Sequence, residues 1–364
     1  MDKLDRIEIK GFKSIREMDL ELRPLNILIG ANGAGKTNFI LVFKLLNEMI
    51  EGRLQSFVAQ SDGADKLLYF GRKVSNSIFI KLQFKKNGYQ VILRPTTSGK
   101  LFFADEICWF IKDWDNQRHI VSLGDGHEET QLIEEAGRNP GKVASYVLKG
   151  LRSWKVYHFH DTSNNAKVKQ SGDISDNRSL RADAGNLAAF LYFLREKHFE
   201  YYDKIVKTVR LVAPFFNDFN LQPESLSPKS IKLEWLEKGS DAYFDAGGLS
   251  DGTLRFMCLA TLLLQPNLPT TILIDEPELG LHPYAITLLA SLLRGAAIDT
   301  QVIISTQSVP LVNQFSPEDI IVVDREDNQS VFRRLDEQNI EDWLEDYGLG
   351  DLWEKNILGG RPRR

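Results

Sequence analysis

Two short stretches of this 364-residue chain carry the residue types that phosphate chemistry needs. The first is Gly30-Ala31-Asn32-Gly33-Ala34-Gly35-Lys36-Thr37, a glycine-rich loop closed by a lysine and a threonine. Glycines at this spacing let backbone N–H groups close around phosphate oxygens, and the start of a following helix adds positive potential. Lys36 reaches the terminal phosphates and the Thr37 hydroxyl is a Mg2+ ligand, so Asn32, Gly33, Ala34, Gly35, Lys36, Thr37 and Asn38 are the expected phosphate-side residues. The second stretch, Ile272-Leu273-Ile274-Asp275-Glu276, is an apolar run ending in two acids. As a strand of a parallel sheet it puts those acids at the carboxyl edge, where ligands of α/β proteins bind. Asp275 then holds Mg2+ through water, and Glu276 orients and deprotonates an attacking water. An ordinary glycine turn and a solvated strand end are the plain alternatives, and the pairing of the two stretches weighs against both.

These groups act together only if the intervening chain brings them to one edge. Leu4 to Ile9 and Met18 to Leu22 read as short strands around a GFKS turn, and Leu25 to Ile29 is an apolar strand running into the loop. Asn38 to Met49 has helical periodicity. From about Gln60 to Gly150, strand-like pieces such as SIFIKLQF and YQVILRP alternate with NG and SG turns, the texture of an inserted, largely β lobe. Trp154 to Phe159 reads as a buried strand, SNNAKVKQSGDISDNRS as a loop, and Asn186 to Val212 as one helix ending before Pro214. The last third alternates: helix Thr253 to Leu264, strand Thr270 to Ile274, helix Tyr284 to Leu293, strands Gln301 to Ile304 and Ile320 to Val323. Such alternation implies a mostly parallel sheet covered on both faces, shared by the two ends of the chain. The expected divisions are 1–60, 61–240, 241–335 and a tail from 336 to 364. No fixed-period repeat or sustained heptad pattern is present.

Composition narrows the class only a little. A hydrophobic content of 43% suits a globular protein, and a net charge of -5 excludes binding to nucleic acid by gross positive charge while leaving a local basic groove open. Cys108 and Cys258, the two cysteines, suggest neither a disulfide framework nor a metal site. The N-terminus lacks an apolar signal core and no run reaches the roughly 20 apolar residues of a membrane span. The expectation is a cytoplasmic protein with no membrane association.

Taken in order, GFKSI, GANGAGKT, LSDGT, LIDEPELGLHP and STQS make the sequence resemble the RecF/SMC-like branch of ABC-class P-loop ATPases. The resemblance covers both ends of the chain and the middle only loosely. It implies an α/β head with a mostly parallel sheet, an N-terminal antiparallel β portion and an inserted β and helical lobe, without a long coiled coil. It also implies two such heads joined head to tail around two ATP-Mg, each nucleotide held by the phosphate loop of one subunit and the signature turn of the other. Ser250 and Gly252 would then contact the γ-phosphate in trans, which answers why AGGLSDGT, a second anion-suited turn, has no lysine. Glu278 to His282 would form the D-loop at that interface, His282 being equally well a helix-start residue before Pro283.

The sequence departs from the ABC pattern at two positions. Asp251 stands where transporter-type signatures have glycine, and its carboxylate is expected to turn away from phosphate or cap the helix. Gln307 stands at the switch position in place of histidine; it hydrogen-bonds but does not transfer protons near neutral pH, so slow turnover is expected. The Q-loop is not placed by the motifs. His160 and Asp161 are candidates for lining the nucleotide site, and His158 with His160 also admits a metal reading that no further cluster supports.

The resemblance implies a partner as well as a substrate, since similar compact ATPases act in bacterial genome maintenance and anti-phage defence, often beside a nuclease. The chain ends about 57 residues after Gln307, too short for the nuclease domain of OLD nucleases, so nuclease or other effector activity is expected from a separate protein. Lys66, Arg72, Lys73, Lys81, Lys85 and Lys86 are either DNA contacts or a solvated face. The terminal EDWLEDYGLGDLWEKNILGGRPRR is either a packed helix and tail or a docking surface. A non-hydrolysing ATP-dependent scaffold is the alternative function, against which Glu276 argues; a transporter ATPase subunit is disfavoured by the large β-rich insertion.

Overall fold

The computed structural model describes residues 3–112, 117–336, 341–344 and 346–360. Two six-stranded sheets frame it. The first runs Ile15–Glu21, Arg6–Phe12, Ile78–Phe84, Asn87–Pro95, Leu101–Ile111, Arg118–Gly124, and every neighbouring pair is antiparallel. Arg6–Phe12 pairs directly with Ile78–Phe84, so the strands of the insertion extend the N-terminal hairpin into one sheet. The second runs Gln329–Arg334, Ile320–Glu326, Leu25–Ile29, Gln301–Thr306, Thr271–Asp275, Trp154–Tyr157. Its inner pairings are parallel, and only the hairpin at one edge is antiparallel. Strands from both ends of the chain therefore share this sheet, as the alternation of elements implies.

The helix Lys36–Ile50 is sandwiched between the sheets. Its Phe39, Phe43 and Leu46 join a core with Ile7, Ile80 and Tyr89 of the first sheet and with Leu28, Leu273 and Ile303 of the second. The opposite face of the second sheet contributes Ile27, Ile29, Ile272 and Ile304 to another core, shared with the helices Asp251–Leu264 and Pro283–Asp299. A strand buried on both faces has no polar alternation to show, which is why LNILI and TILI read as continuous apolar runs. Among the described residues no helix is long and apolar enough to cross a membrane.

The segment expected as one helix is two, Leu187–Lys197 and Phe199–Val212, with His198 between them at φ -140°, ψ 53°. The apolar spacing continues through the break, so periodicity could not reveal it; the turn lets the second helix pack on Asp251–Leu264. The polar stretch after Phe159 is partly ordered, with a 3-10 turn at Lys167–Lys169 and Gly172–Asp173 paired to Ser230–Ile231. Cys108 and Cys258 are buried free thiols, and burial pushes the Cys258 thiol up to about 12.

Inside the first sheet Glu106 is fully buried and accepts hydrogen bonds from the Tyr89 hydroxyl (2.5 Å), the Gln131 N–H (2.9 Å) and Thr130, with His127 Nε2 at 2.8 Å. This fastens the connection after Gly124 to the sheet, and Glu129 in the same connection accepts the N–H groups of Leu54 and Gln55. Glu106→Ala would strand several buried polar groups at once and should cost about 3 kcal/mol or more of stability, measured by chemical denaturation; Glu106→Gln, which keeps an acceptor, should cost less.

Candidate functional site

The parallel register fixes where the chemistry can occur. Asp275 stands opposite Ser305, Ser305 opposite Leu28, and Thr306 opposite Ile29, one residue before the phosphate loop begins. The loop thus starts on the row adjacent to the two acids. Lys36 is buried, its ammonium donating to the carbonyls of Gly30 (2.6 Å) and Ala31 (3.2 Å). Burial pulls the Lys36 pKa down, while the charges of Glu276, Asp275 and Glu278 oppose that shift. One cation therefore lies within the electrostatic reach of three acids.

The loop is braced from behind. Ser14, in the GFKS turn, and Ser330 pair through their hydroxyls at 2.7 Å, and Ser330 Oγ donates to the Ala34 carbonyl at 2.5 Å. Asn38 Nδ2 donates to Ser14 Oγ at 2.7 Å, so the Asn38 side chain holds this brace and its backbone alone faces the loop. Gly35, at φ 121°, has no room for a Cβ, which would run into the Ser330 side chain. Thr37 is exposed at the first turn of the helix, where backbone N–H groups lack intrahelical partners. Arg325 donates to the Gly33 carbonyl at 3.2 Å, and a cavity of about 500 Å³ opens between the loop and the hairpin, lined by Asn32, Gly33, Asp324, Arg325, Asp327 and Asn328.

The acidic side is tied to the switch. Asp275 accepts a hydrogen bond from Ser305 Oγ, and Glu276 accepts one from the Gln307 carboxamide. Glu276 has φ 42°, a left-handed conformation that is strained for a residue with a Cβ. Strain at the residue expected to activate water fits a backbone held in place for function. His160 Nε2 lies 2.7 Å from the Asp275 carbonyl oxygen, which puts the strand end after Trp154–Tyr157 beside the acids; Asp161 accepts from the Ser163 N–H. Among the described residues no cluster of three or more potential metal-ligating His, Cys, Asp or Glu residues is found.

The signature turn lies against the D-loop. Ser250 caps the helix Asp251–Leu264, its Oγ accepting the Thr253 N–H at 3.2 Å. Capping, one of the two roles expected of Asp251, thus falls to Ser250; Asp251 is exposed in the first turn, where the helix dipole favours it and its charge acts on Arg255 four residues on. A Cβ on Gly252 would overlap the Gly280 carbonyl oxygen. Arg255 is buried and donates to the carbonyls of Phe159 (2.9 Å), His160 (3.2 Å) and Leu279. His282 caps the helix Pro283–Asp299, its Nδ1 accepting the Tyr284 N–H at 3.3 Å, in keeping with the helix-start reading.

Several contributors escaped the sequence reading. Ser330, Arg255 and Arg325 act through residues far away in the chain, and no local motif marks them. The C-terminal segment is packed in its later part, where Leu352 and Trp353 are buried, Gly350 N–H bonds to Asn313 Oδ1 (2.6 Å), and the Gly360 carbonyl accepts the Ala31 N–H (2.6 Å), while Trp343 and Tyr347 are exposed. Its basic tip from Arg361 lies outside the described residues. Of the scattered basic residues, Arg72 is paired with Asp65 and Lys81 lies 3.7 Å from Glu8, so neither is an uncommitted cation.

Residues 25–313 match the family model described as "AAA domain, putative AbiEii toxin, Type IV TA system". The Old nuclease of Escherichia phage P2 is 24% identical over 377 residues, covering 93% of this chain and 62% of the relative, so the chain spans under two thirds of that protein. The OLD nuclease of Thermus scotoductus is 36% identical over 59 residues, 16% of this chain and 11% of the relative. Among solved structures, an SmcHead bound to the C-winged helix domain of ScpA aligns with a TM-score of 0.59 at 14% identity, over 92% of this chain and 99% of that one. An Smc head domain with an extended coiled coil bound to the C-terminal domain of ScpA derived from Pyrococcus furiosus aligns with 0.57 at 14%, over 95% and 99%. The fold is therefore that of an SMC-like head.

The backbone of Glu276 yields a stability prediction opposite to the usual effect of glycine. Both Glu276→Gly and Glu276→Ala lose the Gln307 hydrogen bond, but Glu276→Gly should be about 1 kcal/mol more stable than Glu276→Ala, because glycine adopts the observed φ without strain. Equal stability of the two variants, or a less stable glycine variant, in thermal or chemical unfolding would show that the left-handed backbone is not strained.

Proposed function

We propose, because the chain belongs to this AAA-domain family, that it binds and hydrolyses ATP in sites shared between two copies. The observation that carries the reading is the parallel register that starts the phosphate loop, with its buried Lys36, on the row beside Asp275 and Glu276. The loop's N–H groups and Lys36 bind the phosphates, moving the ammonium from loop carbonyls to phosphate oxygens. Thr37 and Asp275 are oxygen donors of the kind Mg2+ takes and would hold the ion, which would supply positive charge against the phosphates. Glu276 accepts the proton of the attacking water, and Gln307, bonded to Glu276, orients both. Because glutamine transfers no proton, turnover is slow.

Ser250 and Gly252 complete the site of the other copy, offering N–H groups at a helix start. Exposure of Ser250 and Asp251 supports this role, as does the packing of the signature turn on the D-loop in place of the chain's own phosphate loop. What ATP-driven association controls is proposed from the phage P2 relative, an Old nuclease: a nuclease or other effector acting on DNA, in phage defence or genome maintenance. A reducing cytoplasm is the setting this implies.

Mass measurement in solution tests the reading. Glu276→Gln should accumulate as an ATP-bound dimer, Lys36→Ala should stay nucleotide-free, and Ser250→Arg should bind ATP but neither dimerise nor release phosphate. A Glu276→Gln protein whose association is indifferent to ATP would sink the shared site. Wild-type protein that dimerises on ATP without ever releasing phosphate, with or without DNA, would favour a scaffold over an ATPase.

A further inference from the structure

One buried acid at the site enters the scheme above only through its charge. Glu278 is 9% exposed, and its two carboxylate oxygens have different fates. Oε1 accepts from the Thr306 hydroxyl at 2.5 Å and from the Gln307 N–H at 3.3 Å. Oε2 is buried and has no hydrogen-bond partner. A carboxylate withdrawn from water with one oxygen unpaired costs free energy, and a smaller or apolar residue in that place would avoid the cost. A buried acid in that place needs a reason.

The reason lies in what Glu278 connects. Thr306 Oγ1, besides donating to Glu278, accepts the Ser308 N–H at 3.0 Å, so one carboxylate oxygen organises the turn Thr306-Gln307-Ser308. That turn aims the Gln307 carboxamide at Glu276. Glu278 also begins the D-loop, and its carbonyl accepts the Leu281 N–H at 3.0 Å. The next residues are held by the signature helix, Leu279 through Arg255 and Gly280 through its close approach to Gly252. An unbroken set of contacts therefore runs from the signature turn through the D-loop and Glu278 to Gln307 and Glu276.

We propose that Glu278 is a positioning residue that pins the switch turn and thereby sets the Gln307–Glu276 pair. The proposal rests on the ATPase reading for its consequence, the rate of hydrolysis, and on the geometry of this chain alone for its mechanism.

Two readouts separate the mechanism from its consequence. In the first, amide hydrogen exchange is followed in the full chain without nucleotide. Glu278→Ala should speed exchange of the Gln307 and Ser308 amides at least tenfold while the phosphate-loop helix is unchanged; Glu278→Gln, which keeps an acceptor oxygen, should stay within about threefold of wild type. Unchanged exchange in Glu278→Ala, or equal loss in both variants, overturns the pinning. In the second, phosphate release is measured: Glu278→Ala should lose at least tenfold in kcat with ATP affinity within threefold, and Glu278→Gln should recover most of the rate. A parallel loss of affinity and thermal stability instead would mean a structural acid only. If wild type itself releases no phosphate, the ATPase reading fails and the exchange measurement still decides the pinning.

Discussion

A buried lysine at the phosphate loop, within electrostatic reach of three acids, is the constraint around which this molecule is arranged. Burial disfavours the charged form of Lys36, while the charges of Glu276, Asp275 and Glu278 oppose that and two loop carbonyls accept its hydrogen bonds. Bringing one lysine and three acids from positions some 240 residues apart to the same place requires a parallel sheet whose strands end together, which Leu25–Ile29, Gln301–Thr306 and Thr271–Asp275 supply. The two cores on either face of that sheet are what keep the strand ends in register. Phosphate oxygens are better partners for the lysine than its own loop carbonyls, so the arrangement is poised to take an anion.

The surroundings divide the work. The antiparallel sheet reaches the phosphate loop through Ser14 of its first hairpin, which pairs with Ser330 of the other sheet, and that contact braces Gly35 and, through Asn38, the start of the helix. The signature turn, D-loop and switch form another unit, joined by Arg255 and Glu278. Arg255 is unusual in satisfying its buried guanidinium with backbone carbonyls; burial lowers its pKa, and the charge of Asp251 partly offsets that. The acid at the signature position thus stands exposed in the first turn of its helix, its charge acting on Arg255 without a direct ion pair among the described residues.

Much of this was legible in the sequence because it is encoded locally. The glycine loop, the apolar strand ending in two acids and the alternation of strands and helices each depend on residues close together in the chain, and the structure has them as expected. What was not legible depends on distant pairs: Ser330 beneath Gly35, Gly360 on Ala31, Glu278 under Gln307. The break at His198 was hidden for another reason, since the apolar spacing on its two sides is compatible with one uninterrupted helix. The terminal segment could be read as packed or as a docking face, and its packing was decided by Asn313 and Asp324, which no motif links to it.

The central claim is that each ATP is enclosed by the loop of one copy and the signature turn of the other, and mixing two defective proteins tests it most directly. Lys36→Ala keeps its signature turn and lacks a working loop; Ser250→Arg keeps the loop and lacks the turn. Native mass measurement of the equimolar mixture should reveal an ATP-dependent heterodimer carrying one nucleotide, with phosphate release that neither protein has alone. A mixture that stays monomeric and inactive under conditions where wild type dimerises would contradict the account.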